Sequence, residues 1–259
     1  MKDTATTQQR IVRFEPDGPN GLKPMDLTPY EFYTRPDAQN LHVYFEDEEL
    51  GMSVGVWDTT PMQEPFGPYP GDEFIFVLEG HFDMMDTEDG SGRNVPCKKG
   101  QSVIFRNGVP VSWKQYDYLK KFYITYLDPR AETPKGLSAQ GGIQALDAQF
   151  TLTDDDTLSG STVKQRERVL FKNDHGNFEV GCWDTEAFSS EIAPFPVHEF
   201  CQVLEGEVTL TDAEGQSHRF GPGEFFFIPA GTPVGWHVPN YLKKYYAGLD
   251  PKIRPGAPA

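Results

Sequence analysis

Two glutamates in segments of the same pattern are the first candidates for chemistry. Glu73 lies in GDEFIFVLEG (71–80) and Glu199 in VHEFCQVLEG (197–206), and each precedes the closing glycine by seven residues. Side chains two apart on a strand share a face, so an inward glutamate would be followed inward by apolar residues. A buried carboxylate has a raised pKa unless it is hydrogen-bonded, and it can act as a general acid or base. The alternative is a carboxylate that bonds to its neighbours and does no chemistry.

His198 places a second titratable group beside Glu199. Neighbours on a regular strand face opposite ways, so both can reach one centre only where the chain bends. Pro194 and Pro196 make such a bend plausible. We therefore take Glu199, Glu73 and His198 as candidate catalytic residues, with a surface or interface histidine as the alternative for His198.

Aromatic residues recur at matching positions around these glutamates. If the side chains of these strands alternate between the two faces of the sheet, Trp113 and Trp236 face the interior. There an indole can stack on a ligand or simply fill the core. Cys201 points inward by the same alternation and, with no basic partner visible, reads as a small buried hydrophobe. The candidate ligand-binding residues are Trp236, Trp113, Tyr69, Phe195, Cys201, Tyr123 and Tyr246.

Two lysine pairs, 120–121 and 243–244, place one side chain on each face of a strand. We expect at least one lysine of each pair to be solvated. The other could pair with a substrate carboxylate.

These candidates lie in two copies of one unit. VGVWDT (54–59) recurs 126 residues later as VGCWDT (180–185), and GQSVIFRNG (100–108) recurs 123 residues later as GEFFFIPAG (223–231). The loss of three residues falls in the loop around 88–93, where length can vary. The repeat therefore predicts two similar domains in tandem.

Each unit consists of short apolar runs with many β-branched and aromatic residues, separated by Gly, Pro, Asp and Asn turns. No long stretch has helical periodicity, so the fold class is all-β, with two sandwich or barrel units. We expect an extended N-terminal arm at 1–37, a first domain at 38–130, a linker at 131–161 and a second domain at 162–259. Within the linker, residues 143–150 could pack or form a short helical turn.

Both units resemble the cupin superfamily, whose domains are jelly-roll β-barrels, so the chain resembles a bicupin. The glutamate with its glycine seven residues later fits the first cupin motif, and Gly223, Pro229 and Gly231 fit the second. In the first unit Arg106 replaces the proline. Finer features resemble the subfamily of the ethanolamine-utilisation cupin and ureidoglycine aminohydrolase.

The resemblance implies a metal held by three histidines and the glutamate, and here the sequence departs from it. The histidine positions hold Gly67, Tyr69 and Val111 in the first unit and Ala193, Phe195 and Val234 in the second. One carboxylate falls short of the three or four ligands a transition metal needs. We therefore predict no metal and no cofactor, although a divalent transition metal is possible if His198 and Glu199 help to rebuild a site.

The net charge of −16 and pI near 4.7 argue against nucleic acid and anionic membrane surfaces as partners. Three cysteines without a CxxC pair suit a reducing compartment. No apolar run approaches eighteen residues and no signal peptide is visible, so we expect a soluble cytoplasmic protein. The expected partner is a small-molecule ligand, and a homodimer is possible.

Three functions remain open from the sequence. The first is an enzyme performing acid/base chemistry on a small polar or anionic metabolite as a hydrolase, lyase or isomerase, with Glu199 or Glu73 as base. The second unit is slightly favoured because it keeps the Gly223–Pro229–Gly231 pattern and adds His198. The second function is a non-catalytic ligand-binding or structural bicupin, and the third is a metal-dependent enzyme with a rebuilt site in the second domain.

Overall fold

The structure is a computed structural model that describes residues 9–89, 91–137, 142–146 and 149–254. It divides into two compact units: the first unit comprises residues 15–148, and the second comprises 1–14 with 149–259. Both are built from antiparallel strands, which confirms the all-β prediction. A single turn of 3-10 helix, Asp154–Asp156, is the one helical element in the described part of the chain. Among the described residues, no helix has the length and apolar character that spanning a bilayer requires.

The first unit holds two sheets that face each other as a jelly-roll sandwich. Its strands are β2 (Lys23–Pro24), β3 (Gln39–Asp47), β4 (Met52–Thr59), β5 (Met62–Gln63), β6 (Gly67–Pro68), β7 (Asp72–Glu79), β8 (His81–Met85), β9 (Asn94–Lys98), β10 (Ser102–Phe105), β11 (Pro110–Gln115), β12 (Leu119–Tyr126) and β13 (Ile143–Leu146). One sheet has the order β13-β10-β7-β12-β4-β3-β2, and the other has the order β5-β11-β8-β9 with β6 also on β11.

The second unit repeats this arrangement in one continuous sheet. Its strands are β1 (Val12–Arg13), β14 (Gln165–Lys172), β15 (Phe178–Ser189), β16 (Ala193–Pro194), β17 (His198–Gly206), β18 (Val208–Asp212), β19 (Ser217–Phe220), β20 (Phe225–Ile228) and β21 (Pro233–Leu249). The 17-residue β21 pairs along its length with β15, β16, β17 and β18, so it runs through both layers. In the first unit the corresponding stretch is split into β11 and β12 by the bend around Asp117.

The unit limits differ from the predicted boundaries because segments outside the repeat are paired into the sheets. Strand β13, from the expected linker, lies antiparallel on β10, with Phe105 opposite Ile143. Strand β1, from the expected arm, lies on β20, the equivalent of β10, with Val12 opposite Phe227. An unpaired strand edge invites association with other chains, so these segments protect the same edge in both units.

Alternation along the strands sets the interior of each unit. Ile75 and Val77 follow Glu73 into the first core, and Cys201 and Val203 follow Glu199 into the second. The glycines that close these segments, Gly80 and Gly206, have φ of 81° and 72°. A Cβ at either position would overlap a backbone carbonyl oxygen of the returning chain, which explains why glycine stands there.

Candidate functional site

A cavity of about 340 Å³ opens in the first unit and is called the first pocket. The segment before β3 forms one wall, through Met25, Tyr30, Glu31 and Phe32, and the sandwich supplies the others. Three of its acids or bases come from the sandwich: Glu64, Glu73 and Lys121. The remaining lining residues are Gln39, Leu41, Ser53, Trp57, Met62, Tyr69, Pro70, Trp113, Tyr123 and Thr125.

An ion pair between neighbouring strands lies at the floor of the first pocket. Lys121 Nζ on β12 donates to Glu73 Oε1 on β7 at 2.8 Å, and the Tyr69 hydroxyl donates to Glu73 Oε2. The side chains of Lys121 and Glu73 are only 10% and 9% exposed. Both carboxylate oxygens are therefore engaged by the protein itself, which meets the requirement that a buried charge be paired and hydrogen-bonded.

Three aromatic rings surround the same ammonium. Lys121 Nζ lies 4.8 Å from the ring centre of Trp113, 5.2 Å from that of Trp57 and 6.0 Å from that of Tyr123. Ring faces carry negative potential and stabilise a desolvated cation. The burial of Lys121 is thus supported by one carboxylate and by an aromatic cage.

Glu64 follows β5 and is an acid that sequence reasoning missed. Within the described residues its carboxyl has no hydrogen-bond or ion-pair partner, although its backbone pairs with β11 through Trp113. Burial raises the pKa of Glu64 to about 7; the Lys121 ammonium opposes this rise and the Glu73 carboxylate adds to it. Glu64 lies between Gln63 and Pro65, outside any periodic run, so no sequence pattern marked it.

A second pocket, of about 420 Å³, lies at the corresponding place in the second unit. Lys244 Nζ on β21 donates to Glu199 Oε1 on β17, and its side chain is 6% exposed. It lies 5.0 Å from the ring centre of Trp236, 5.2 Å from Trp183 and 5.6 Å from Tyr246. The other lining residues are Glu167, Phe188, Ser190, Glu191, Ala193, Pro194, Phe195, Pro196 and Val234. The cage of the first unit is therefore present again.

The predicted aromatic residues line the pockets. Trp113, Tyr69 and Tyr123 contribute to the first, and Trp236, Phe195 and Tyr246 to the second. Sequence reasoning missed Trp57 and Trp183 in this role. Their exact repetition in VGVWDT and VGCWDT was the available signal.

Cys201 departs from the expectation of a simple buried hydrophobe. Its thiol lies 3.0 Å from Glu199 Oε1, to which it donates, and Lys244 Nζ donates to the sulfur at 3.4 Å. Burial raises the pKa of the Cys201 thiol well above its usual range, and the Glu199 carboxylate adds to the effect. Cys201 does not line the second pocket, so it contacts the ion pair from the core side.

His198 is not brought to the second pocket, which corrects the expectation of a bend. It begins β17 in regular register opposite Leu249, so its ring lies on the other face of the strand from Glu199. Its Nδ1 accepts a hydrogen bond from the Ala230 amide at 3.2 Å, and the ring stacks on Phe227. His198 is therefore a buried residue that lies outside the second pocket.

The expectation for the lysine pairs also changes. Lys121 and Lys244 pair with the protein's own glutamates, which leaves neither ammonium unpaired for a substrate carboxylate. Lys243 is buried as well and donates to Glu205 at 2.8 Å, so the second pair has no solvated member. Lys120 is the least buried of the four, with 14% of its side chain exposed, and it binds the exposed Asp17 at 2.5 Å.

The donor set does not fit the metal that the resemblance implies. Glu73 and Glu199 accept hydrogen bonds from an ammonium, and the positions of the histidine ligands carry glycine, alanine, valine or aromatic side chains. The described residues contain no cluster of three or more His, Cys, Asp and Glu side chains able to hold an ion. Three or four such ligands are needed. In each unit a lysine ammonium thus pairs with the glutamate that the resemblance predicts as a metal ligand.

Comparison with known proteins agrees with this description. The fold and the paired pockets define a protein of two tandem jelly-roll units. Residues 173–246 match the model of the EutQ-like cupin domain. That segment of the second unit is therefore similar to a cupin domain, and the chain as a whole has the tandem jelly-roll fold of such proteins. No curated protein sequence matches it.

Solved structures resemble the chain over nearly its whole length. A protein of unknown function from Pseudomonas syringae pv. tomato has a TM-score of 0.68 at 20% identity, over 93% of this chain and 100% of that one. A putative dioxygenase from Nostoc punctiforme has a TM-score of 0.58 at 16% identity, over 97% and 88%. A cupin 2 conserved barrel domain protein from Leptotrichia buccalis has a TM-score of 0.56 at 12% identity, over 88% and 96%. At such identities the likeness concerns the fold.

Proposed function

We propose that the chain is a small-molecule-binding bicupin whose first pocket performs acid/base chemistry, with Glu64 as the group that exchanges a proton with the ligand. The reaction class is a hydrolase, lyase or isomerase step on a small polar metabolite. The candidate base thus moves from Glu199 and Glu73, which the sequence favoured, to a residue of the first pocket. The cavity has the size and the aromatic lining typical of a small-molecule site.

The observation that carries the proposal is the state of the Glu64 carboxyl. It lines a cavity, it has no hydrogen-bonding partner among the described residues, and its pKa is raised to about 7. A general acid or base works best when its pKa lies near the working pH, because both protonation states are then populated. Glu64 meets this condition near neutral pH.

Glu73 serves a different purpose in this proposal. Its two oxygens already accept hydrogen bonds from Lys121 and Tyr69. A carboxylate engaged on both oxygens has little capacity left to take a proton from a ligand. We therefore assign Glu73 and Lys121 as positioning residues that fix the pocket floor and hold Trp113 and Trp57 around the ammonium.

A non-catalytic binding function is the second candidate, and it applies to the second pocket. Its repeat position equivalent to Glu64 holds Ser190, whose hydroxyl accepts a hydrogen bond from the Trp236 amide. Its acids Glu199 and Glu167 are hydrogen-bonded by Lys244 and Tyr246. The described residues thus give the second pocket no buried, unpaired acid for proton transfer.

The test begins with a screen of polar metabolites for thermal stabilisation, followed by NMR detection of turnover for each ligand found. We expect Glu64→Gln to lower turnover about 10²–10⁴-fold, the usual contribution of general acid/base catalysis. The wild-type pH–rate profile should bend near pH 7, and the Gln variant should lack that bend. Glu191→Gln, which removes the same charge from the second pocket, is the matched control and should keep full activity. Turnover that survives Glu64→Gln, or stabilising ligands that are never turned over, would contradict the proposal.

The cytoplasmic location expected from the sequence stays part of the proposal. It is supported by Cys97, Cys182 and Cys201, which are all buried and unpaired thiols. Disulfides are rare in a reducing compartment and common outside it. Homodimerisation stays a prediction.

A further inference from the structure

We infer that the ligand of the first pocket carries a protonated amine that pairs with Glu64, so that the site selects small organic cations. The inference rests on the proposed function and adds the charge class of the ligand to it. It replaces the polar or anionic metabolite expected from the sequence.

The balance of charge in the lining is the first argument. Glu31, Glu64 and Glu73 line the first pocket, Glu31 at its exposed rim, while Lys121 is the one cation among its described lining residues. Lys121 is already bound to Glu73 at 2.8 Å. The described lining therefore carries two more carboxylates than cations. An anionic ligand would add repulsion, and a cation would remove it.

The position of Glu64 is the second argument. Glu64 is half-buried, and its carboxyl has no hydrogen-bond donor among the described residues. A carboxylate that is partly removed from water without such a donor loses hydration free energy. A ligand ammonium would give it a charge-assisted hydrogen bond, which is stronger than a neutral one. Selection of an amine by this carboxylate follows from the same physics that holds Lys121 against Glu73.

The aromatic walls are the third argument. Trp57, Trp113, Tyr69, Tyr30 and Phe32 line the cavity, and the indoles already hold one ammonium at about 5 Å. Aromatic faces favour cations and the apolar groups attached to an amine. The lining therefore suits an amine with a short hydrocarbon body.

The charged and titratable groups around Glu64 decide how binding should depend on pH. Lys121 and Glu73 face it from β12 and β7, and Glu31 faces the cavity from the segment before β3. Tyr69 and Tyr123 are engaged with Glu73 and Ser53. Arg35 lies over the Phe32 ring at 5.6 Å and does not line the cavity. An amine binds the ionised form of Glu64, so its affinity should rise with pH through the pKa of that group.

The test uses three probes of similar shape and different charge: neopentylamine, neopentyl alcohol and pivalate. Binding to the full chain is followed by NMR shifts of the tryptophan indoles at pH 6 and pH 8. The wild type should prefer the amine over the alcohol by at least about tenfold at pH 8. Amine affinity should fall up to about tenfold at pH 6, in proportion to the ionised fraction of Glu64. Pivalate should bind more weakly than the alcohol.

Two variants test whether the preference for the amine arises from Glu64. Glu64→Gln should reduce the preference for the amine to within about twofold and abolish its pH dependence. Glu214→Gln, which removes the same charge from an exposed position outside both pockets, should leave both unchanged. Equal or tighter binding of the alcohol or of pivalate would overturn the amine assignment while leaving acid/base chemistry by Glu64 intact. Amine selectivity without turnover of any ligand would instead defeat the catalytic proposal. Failure of the amine to bind the wild type at all would overturn the inference.

Discussion

The two pockets share a cage and differ in the acids placed around it. In each, a buried lysine lies between a glutamate, two tryptophans and a tyrosine, with the nearest ring centre at 4.8 Å for Lys121 and 5.0 Å for Lys244. The glutamate also accepts a hydrogen bond from the Tyr69 hydroxyl in the first unit and from the Cys201 thiol in the second. Glu64 in the first pocket corresponds to Ser190 in the second.

This comparison separates what holds the fold from what can react. The repeated cage is internally paired, so it supports the barrel and offers no unpaired charge. In the second unit the added acid, Glu167, accepts a hydrogen bond from Tyr246 at 2.8 Å. In the first unit Tyr123 bonds Ser53 instead, and Glu64 stays unpaired among the described residues. Glu64, the acid that we propose as the proton-exchanging group, therefore lies outside the repeated residues.

The largest effect should come from breaking the cage. Lys121→Met or Lys244→Met leaves a buried glutamate without its partner, and removal of one member of a buried pair costs about 3–5 kcal/mol of unfolding free energy. Urea denaturation followed by tryptophan fluorescence measures the loss.

Lys120→Met is the matched control, because Lys120 pairs with the exposed Asp17. Such a pair contributes at most about 1 kcal/mol. The double change Lys121→Met with Glu73→Gln should recover part of the loss. If Lys120→Met and Lys121→Met lowered the free energy of unfolding equally, the cage would contribute no more to stability than a surface ion pair.

The second effect concerns Glu64 and should appear only in the first unit. Its folded pKa of about 7 lies above the value of 4.5 for an unperturbed carboxyl. Below pH 4.5 the folded and unfolded chains are both protonated. Between pH 4.5 and 7 the folded chain keeps a proton that the unfolded chain has released, so stability falls as pH rises. The fall is at most roughly 3 kcal/mol.

Glu64→Gln should remove this fall and raise stability at pH 8, as measured by denaturation at a series of pH values. Glu191→Gln should leave the wild-type pH dependence in place. If the wild type and Glu64→Gln give parallel curves between pH 4.5 and 8, the burial argument for Glu64 is wrong.

A smaller effect should follow from exchanging the donors that complete the carboxylates. Tyr69→Phe gives the first unit the residue found at Phe195 and removes the hydroxyl that donates to Glu73. A buried acceptor that loses its donor costs about 1–3 kcal/mol. Phe195→Tyr should cost less, because it removes no donor and Glu199 Oε1 keeps its hydrogen bonds from Cys201 and Lys244. A similar cost for both changes, in thermal or urea denaturation, would remove this distinction between the pockets.

The sequence predicted the fold and part of the site for identifiable reasons. Repetition at a fixed spacing and alternation along strands placed Glu73, Glu199, Trp113 and Trp236 at the interior. Both signals are properties of the sequence, so they can be detected without knowledge of the tertiary structure. The prolines at 194 and 196 suggested a bend at His198, but β17 pairs with β21 in regular register at that residue.

Glu64 and the lysine pairing required the folded chain. Glu64 lies in an irregular segment, and the cavity that it lines is built with residues distant in sequence, including Phe32 before β3. Lys121 meets Glu73 only because β12 and β7 are neighbours in the sheet. Such burial and such pairings across strands are set by tertiary contacts, which a reading of local pattern does not contain.

Both proposals depend on Glu64 having no partner among the described residues and exchanging its proton near neutral pH. Carbon-detected NMR titration of the glutamate side-chain carboxyls, with the signal of Glu64 assigned by its loss in Glu64→Gln, measures this directly. We expect this signal to titrate with a pKa of about 7. A midpoint near 4.5, the value of an unperturbed carboxyl, would contradict it.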